Sequence, residues 1–153
     1  MSAIEDRLAA LGITVPSPKA PVANYVPFLV VGSMLHISGQ VSAGEVGAVK
    51  GIVGVEVDPE TAQHGARICA INLIAQMKQA CGGDLDRVRR VVKLNGFVQV
   101  GPDFVEIPKV LDGASNLMVE AFADAGRHAR CAVGVYRLPL NYSVEVDALV
   151  EIA

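Results

Sequence analysis

Arg127-His-Ala-Arg130-Cys-Ala-Val-Gly-Val-Tyr-Arg-Leu138-Pro139-Leu-Asn-Tyr142-Ser-Val-Glu-Val-Asp147-Ala-Leu-Val-Glu-Ile152 is the stretch whose reading decides the fold. Two apolar, β-branched runs flank Leu138-Pro139-Leu140-Asn141, which reads as an antiparallel hairpin with its proline outside the ladder. Alternation puts Cys131, Val133 and Val135 on one face of the first run and Arg130, Ala132 and Gly134 on the other. In the second run Val144, Val146, Ala148 and Val150 oppose Glu145, Asp147 and Leu149. If both valine faces cover one core, cross-strand pairing puts Arg130 on the acidic side of its neighbour, within reach of Asp147.

A guanidinium is a planar fork of donors that matches a carboxylate in two places, and Ala132 and Gly134 leave room beside it. A small carboxylic acid is therefore the expected guest. The competing reading is an Arg130–Asp147 ion pair that serves structure alone.

The segment Ala129-Arg130-Cys-Ala-Val-Gly-Val-x-x-Leu138-Pro139, followed by a strand ending in an acid, resembles the C-terminal motif of the Rid (reactive intermediate deaminase, YjgF-like) family, whose members have also been labelled L-PSP endoribonucleases. Tyr25, then Ile37-Ser38-Gly39-Gln40, then Asn116 before Glu120-Ala121-Phe122 extend the resemblance in the same order over about residues 20–152. It implies chorismate-mutase-like subunits assembled as a trimer, with ligand clefts between neighbouring chains. Arg130 would hold the substrate carboxylate, backbone N–H groups at Gly39 and Ala132 would orient the ligand, and Tyr25 and Asn116 would line the cleft. Asp147 stands where the family commonly carries a Glu that positions water. The implied activity is hydrolysis of short 2-imino acids, in equilibrium with their enamines, to 2-oxo acids and ammonia, without a cofactor. A binding protein for small carboxylates is the alternative, and an endoribonuclease a third.

Chain length and composition bound these readings. At 153 residues without a linker-like stretch, one domain spanning 1–153 is expected, with a short helical extension over about 1–13. An apolar fraction of 52% is high for a soluble monomer, yet the run from Val26 to Leu35 is broken by Pro27, Gly32 and Ser33 and is too short to span a bilayer. The apolar excess is expected in strands buried on both faces or in a subunit interface. No basic-then-apolar leader opens the chain, so cytoplasmic residence and no membrane partner are expected.

Cys69, Cys81 and Cys131 lack metal-binding or disulfide spacing and read as small buried hydrophobes, and His36, His64 and His128 stand apart, so no metal is implied. Alternation also turns Cys131 away from Arg130, against a nucleophile reading. The net charge of −3 argues against a nucleic-acid partner. The one basic cluster, Arg87 to Lys93, reads as a solvated strand entrance.

Ser2 to Glu5 fits a capping box before Ile4, Leu8 and Leu11 at helical spacing. Residues 14–21, rich in proline, read as an extended connection, and Tyr25–Val31 and Met34–Ser38 as strands joined at Gly32-Ser33. The glycine-dense run from Gly44 to Gly54 lacks both nucleotide fingerprints and reads as a loop with a short strand near 49–53. Asp58-Pro59 opens a long helix that Gly82-Gly83 stops. A strand over 89–100 and a helix over about 104–125, with Pro108 and Gly113 as points of interruption, complete the order. The fold class is α+β: a mixed sheet with two long helices on one face and an apolar open face that packs against other subunits of a closed homo-oligomer.

Overall fold

A computed structural model describes residues 2–18, 20–21, 23–45 and 47–153. Lys19 of the proline-rich connection and Val46 of the glycine-dense run lie outside the described residues, as do Met1 and Val22. The helices are α1 (Ala3–Ala10), α2 (Pro59–Ala80) and α3 (Ile107–Phe122). The strands are β1 (Phe28–Val31), β2 (Met34–Val41), β3 (Ala43–Gly44), β4 (Gly47–Ala48), β5 (Val88–Gln99), β6 (Ala129–Val135) and β7 (Val144–Ile152).

Local chemistry sets most of these boundaries. Ser2 and Glu5 close the expected capping box, and the Asp86 carboxylate accepts hydrogen bonds from the Ala3 and Ile4 N–H groups, docking α1 on the domain. Asp58 caps α2 through the Thr61 N–H at 2.8 Å, with Pro59 in the first turn. Pro108 likewise sits in the first turn of α3, so it starts that helix instead of interrupting it. Gly113 lies inside α3 because a side chain there would strike the Gln63 carbonyl of α2; the glycine permits the close approach of the two helices. The expected strand near 49–53 reduces to isolated bridges at Lys50 and Val53, preceded by the β3–β4 hairpin.

The main sheet has the order β1-β2-β7-β5-β6, antiparallel except for the β5–β6 pair. Both long helices cover one face. Leu35, Ile37, Leu94, Val98, Val144, Val146 and Val150 bury themselves there against Leu73, Met77, Leu111, Leu117 and Met118. Each such side chain stabilises the fold by roughly 1.5–3 kcal/mol relative to exposure. The other face carries Leu29, Val31, Phe97 and Val133 without a covering layer among the described residues. Among the described residues no helix is long and apolar enough to cross a membrane.

The terminal hairpin does not form. β5 stands between β6 and β7, and β6 runs parallel to β5 as the third member of a β5–α3–β6 unit. Residues 136–143 therefore cross the end of β5, a span of about 10 Å from two inter-strand spacings. The Gln99 side chain at that end holds the crossing, accepting from the Leu138 N–H at 2.8 Å and donating to Asn141 Oδ1 at 2.7 Å. Leu140 and Asn141 take positive φ there, which a continuous ladder would not require.

Candidate functional site

This topology separates the two residues expected to work together. Leu94 of β5 pairs with Arg130 and Ala148, whereas Asn95 pairs with Cys131 and Asp147, so Arg130 lies on the helix face and Asp147 on the open face. The expected Arg130–Asp147 proximity within one chain is thereby overturned: the valine face of β6 is the open one, and that of β7 the buried one. Cys131 does turn away from Arg130, but it is exposed instead of buried, since no element of the chain covers the open face of this edge strand. Cys69 and Cys81 are buried, and burial pushes both thiols up.

On the helix face, Arg130 Nη1 donates to Asp112 Oδ1 at 2.9 Å and to Ser115 Oγ at 3.2 Å. Ser115 Oγ lies 2.9 Å from His128 Nε2, and His128 Nδ1 lies 2.6 Å from the Gly126 carbonyl. The carbonyl can only accept, so Nδ1 carries the proton and Nε2 accepts from the serine. Burial lowers the His128 pKa against the opposing effect of that carbonyl, and the Arg130 charge lowers it further. Among the described residues Arg130 Nε and Nη2 have no hydrogen-bond partner, which leaves one edge of the fork unspent. Ala132 packs toward the helices beside Gly96, and Asn116 is exposed on α3.

Across the sheet, Asp147 Oδ1 accepts from Asn95 Nδ2 at 2.8 Å in a cleft lined also by His36, Ser38, Gly39 and Lys93. Glu145 lies on the same face of β7, two residues earlier, and its carboxylate occupies the space a side chain at Gly39 would need. Burial raises the Glu145 pKa, and the neighbouring Asp147 carboxylate raises it further. Gly39 itself lies in the irregularity between Ile37 and Gln40 where the β2–β7 register shifts. Tyr25 is more than half exposed and lines, with Gly39, a second and larger cleft under the proline-rich segment.

Sequence reading thus missed Glu145, Asn95, Ser115 and His128. Only Glu145 left a signal: in Val144-Glu-Val-Asp147 the two acids share a strand face.

Residues 5–152 match the family model described as "YjgF/chorismate mutase-like, putative endoribonuclease". The chain belongs to the YjgF-like family. Protein TCP17 of Trypanosoma cruzi is 49% identical to this YjgF-like chain over 147 residues, 95% of this chain and 91% of that one. Among solved structures, Atu1372 of Agrobacterium tumefaciens, of unknown function, is 51% identical with a TM-score of 0.92, covering 98% of this chain and 92% of the other. A Shewanella oneidensis protein described as a "putative endoribonuclease" is 37% identical with a TM-score of 0.93, covering 97% and 99%. The α+β architecture, with its mixed sheet and helices, is that of the family.

Proposed function

We propose that this YjgF-like protein hydrolyses short 2-imino acids and their enamine tautomers to 2-oxo acids and ammonia, in clefts that neighbouring copies of a homotrimer complete. The observation that carries the reading is the pair of carboxylates, Glu145 and Asp147, side by side on the open face with one of them disposed to keep its proton. Asp147, steadied by Asn95, orients water toward the imine carbon and takes up its proton as the C–O bond forms. Glu145 gives its proton to the imine nitrogen as water adds, Asp147 passes the proton it took from water to the resulting amine, the C–N bond breaks with its electron pair leaving on ammonia, and the hydroxyl proton returns to Glu145 as the oxo acid forms. No electrons change hands, so no cofactor is needed.

Arg130 serves as the carboxylate-holding group in this proposal, but for the cleft of the adjacent copy. Its free guanidinium edge on β6 and the open face around Asp147 belong to opposite sides of one subunit, and a closed ring turns such sides toward each other. The apolar open face supports the same assembly. Mixing tests the proposal directly. Arg130→Ala and Asp147→Asn should each abolish release of oxo acid from 2-aminoacrylate or 2-iminobutanoate generated in situ. Co-assembled in equal amounts, they should recover roughly a quarter of the native rate, since a shared cleft draws one good residue from each parent. No recovery, or a native rate equal to buffer alone, would refute it.

Calorimetric binding of 2-oxo acids that depends on Arg130 but brings no ammonia release would favour the small-carboxylate binder. RNA cleavage draws little support from the charge. Arg87 is engaged with the Cys81 and Ala153 carbonyls, and Arg90 with those of Asp124 and Arg127, so two members of the basic cluster tie backbone ends together.

A further inference from the structure

Lys93 closes the basic cluster that begins at Arg87, and it is the member of that cluster that lines the cleft of Asp147. Arg87 and Arg90 are spent on backbone carbonyls, whereas the Lys93 ammonium forms no ion pair or hydrogen bond among the described residues. Lys93 pairs with Leu149 of β7, and Leu149 pairs on its other side with His36 of β2. These three residues floor one end of the cleft, which encloses about 360 Å³, and Asn95 and Asp147 floor the other.

A half-buried ammonium gives up part of its hydration and recovers that loss only from a partner. Two acids of the same strand face are diagonal neighbours of Lys93, Asp147 on one side of Leu149 and Glu151 on the other, and it is bonded to neither. The charge is therefore free for a guest. The two ends of the cleft also differ in kind. Asp147 marks where water meets the imine carbon, and Lys93 marks a place for an anion about 7 Å further along β7, two residues of strand. His36, across Leu149, can turn a ring N–H toward the same place. A carboxylate brought there would be repelled by Asp147 unless a cation offset the repulsion, and Lys93 supplies that cation.

We propose that the preferred guests are dicarboxylic 2-imino and 2-oxo acids of four or five carbons, with the distal carboxylate held by Lys93. The inference rests on the deaminase reading for where the substrate lies, with its 2-carboxylate on Arg130 of the adjacent copy. Lys93 is then the residue that selects the second charge.

Titration calorimetry on the full chain near neutral pH tests it with 2-oxoglutarate and 2-oxopentanoate, which share a chain length and differ in the terminal carboxylate. The diacid should bind about tenfold more tightly. Lys93→Met, similar in length but uncharged, should bring the ratio of the two affinities close to one, and Lys93→Arg should preserve it. Added salt should narrow the ratio, since the extra interaction is between charges. Equal affinities in the native chain, no binding of 2-oxoglutarate, or a ratio that persists in folded Lys93→Met would overturn the assignment; the last would leave Lys93 as a counter-ion to the acids of β7. Ammonia release from the matching 2-imino acids, generated in situ, is read separately. A Lys93-dependent ratio without any release would refute the deaminase reading alone. Release without a preference for the diacid in binding would refute this inference alone.

Discussion

Asp147 and Arg130 stand on strands separated only by β5, yet they meet opposite circumstances. Around Arg130 the polar groups form a continuous chain from Asp112 and the guanidinium Nη1 through Ser115 and His128 to the Gly126 carbonyl, with only the outer edge of the fork left over. Around Asp147 only Asn95 donates among the described residues, and the carboxylate beside it, that of Glu145, is half-buried at a cost that appears in its raised pKa. Polar groups that satisfy one another hold a fold together, whereas those left in conflict store the reactivity a site can use. The helix-face network therefore reads as a positioning device, and the open-face pair as the chemistry.

That contrast can be broken by experiment. The largest effect is expected on turnover: Asp147→Asn or Glu145→Gln should lower kcat/KM by about 10²–10⁴-fold in an imino-acid assay, while both proteins remain folded. Loss of activity through unfolding alone would erase the distinction. Next comes the core beneath the helices, where Leu94→Ala should cost about 2–5 kcal/mol in denaturant unfolding. The open-face change Val133→Ser should instead leave the stability of a subunit within about 0.5 kcal/mol and loosen the assembly, seen as a smaller species by analytical ultracentrifugation.

The pH dependences are smaller and opposite in sign. Glu145 holds its proton above the ordinary value of 4.5, so the folded chain binds a proton the unfolded chain releases. Its contribution to stability is full below that pH and fades as pH rises through the folded-state value; Glu145→Gln should flatten that decline in thermal midpoints. His128 is depressed below 6.5, so its contribution is present above that pH and is lost as pH falls through the folded-state value. His128→Gln should remove this acid-side loss. The two slopes exchanging places would reverse the roles assigned to the two regions.

Much of the fold was legible in the chain because its signals are local. The Ser2–Glu5 box, the Asp58-Pro59 start, the Gly32-Ser33 turn and the apolar stripe of α2 depend on residues within a few positions of one another, and each stands where expected. The motif around Arg130 also led to the right family. The misses share a different cause. Alternation tells which residues of β6 share a face, but not which neighbour that face meets. Leu138-Pro139-Leu140-Asn141 has the composition of a turn whether the chain doubles back or crosses over a third strand. Cys131 was misjudged for the same reason: an apolar face on an edge strand is buried only if something covers it.

By itself, then, the order of residues determined the elements, their caps and the two-layer class, because those follow from periodicity and short-range hydrogen bonding. Tertiary structure alone decided that β5 separates β6 from β7. With that one insertion it sent Arg130 to the helices and left Asp147 on the opposite, open face. Strand pairing joins residues far apart in the chain, and no local pattern encodes which of several compatible neighbours will be chosen.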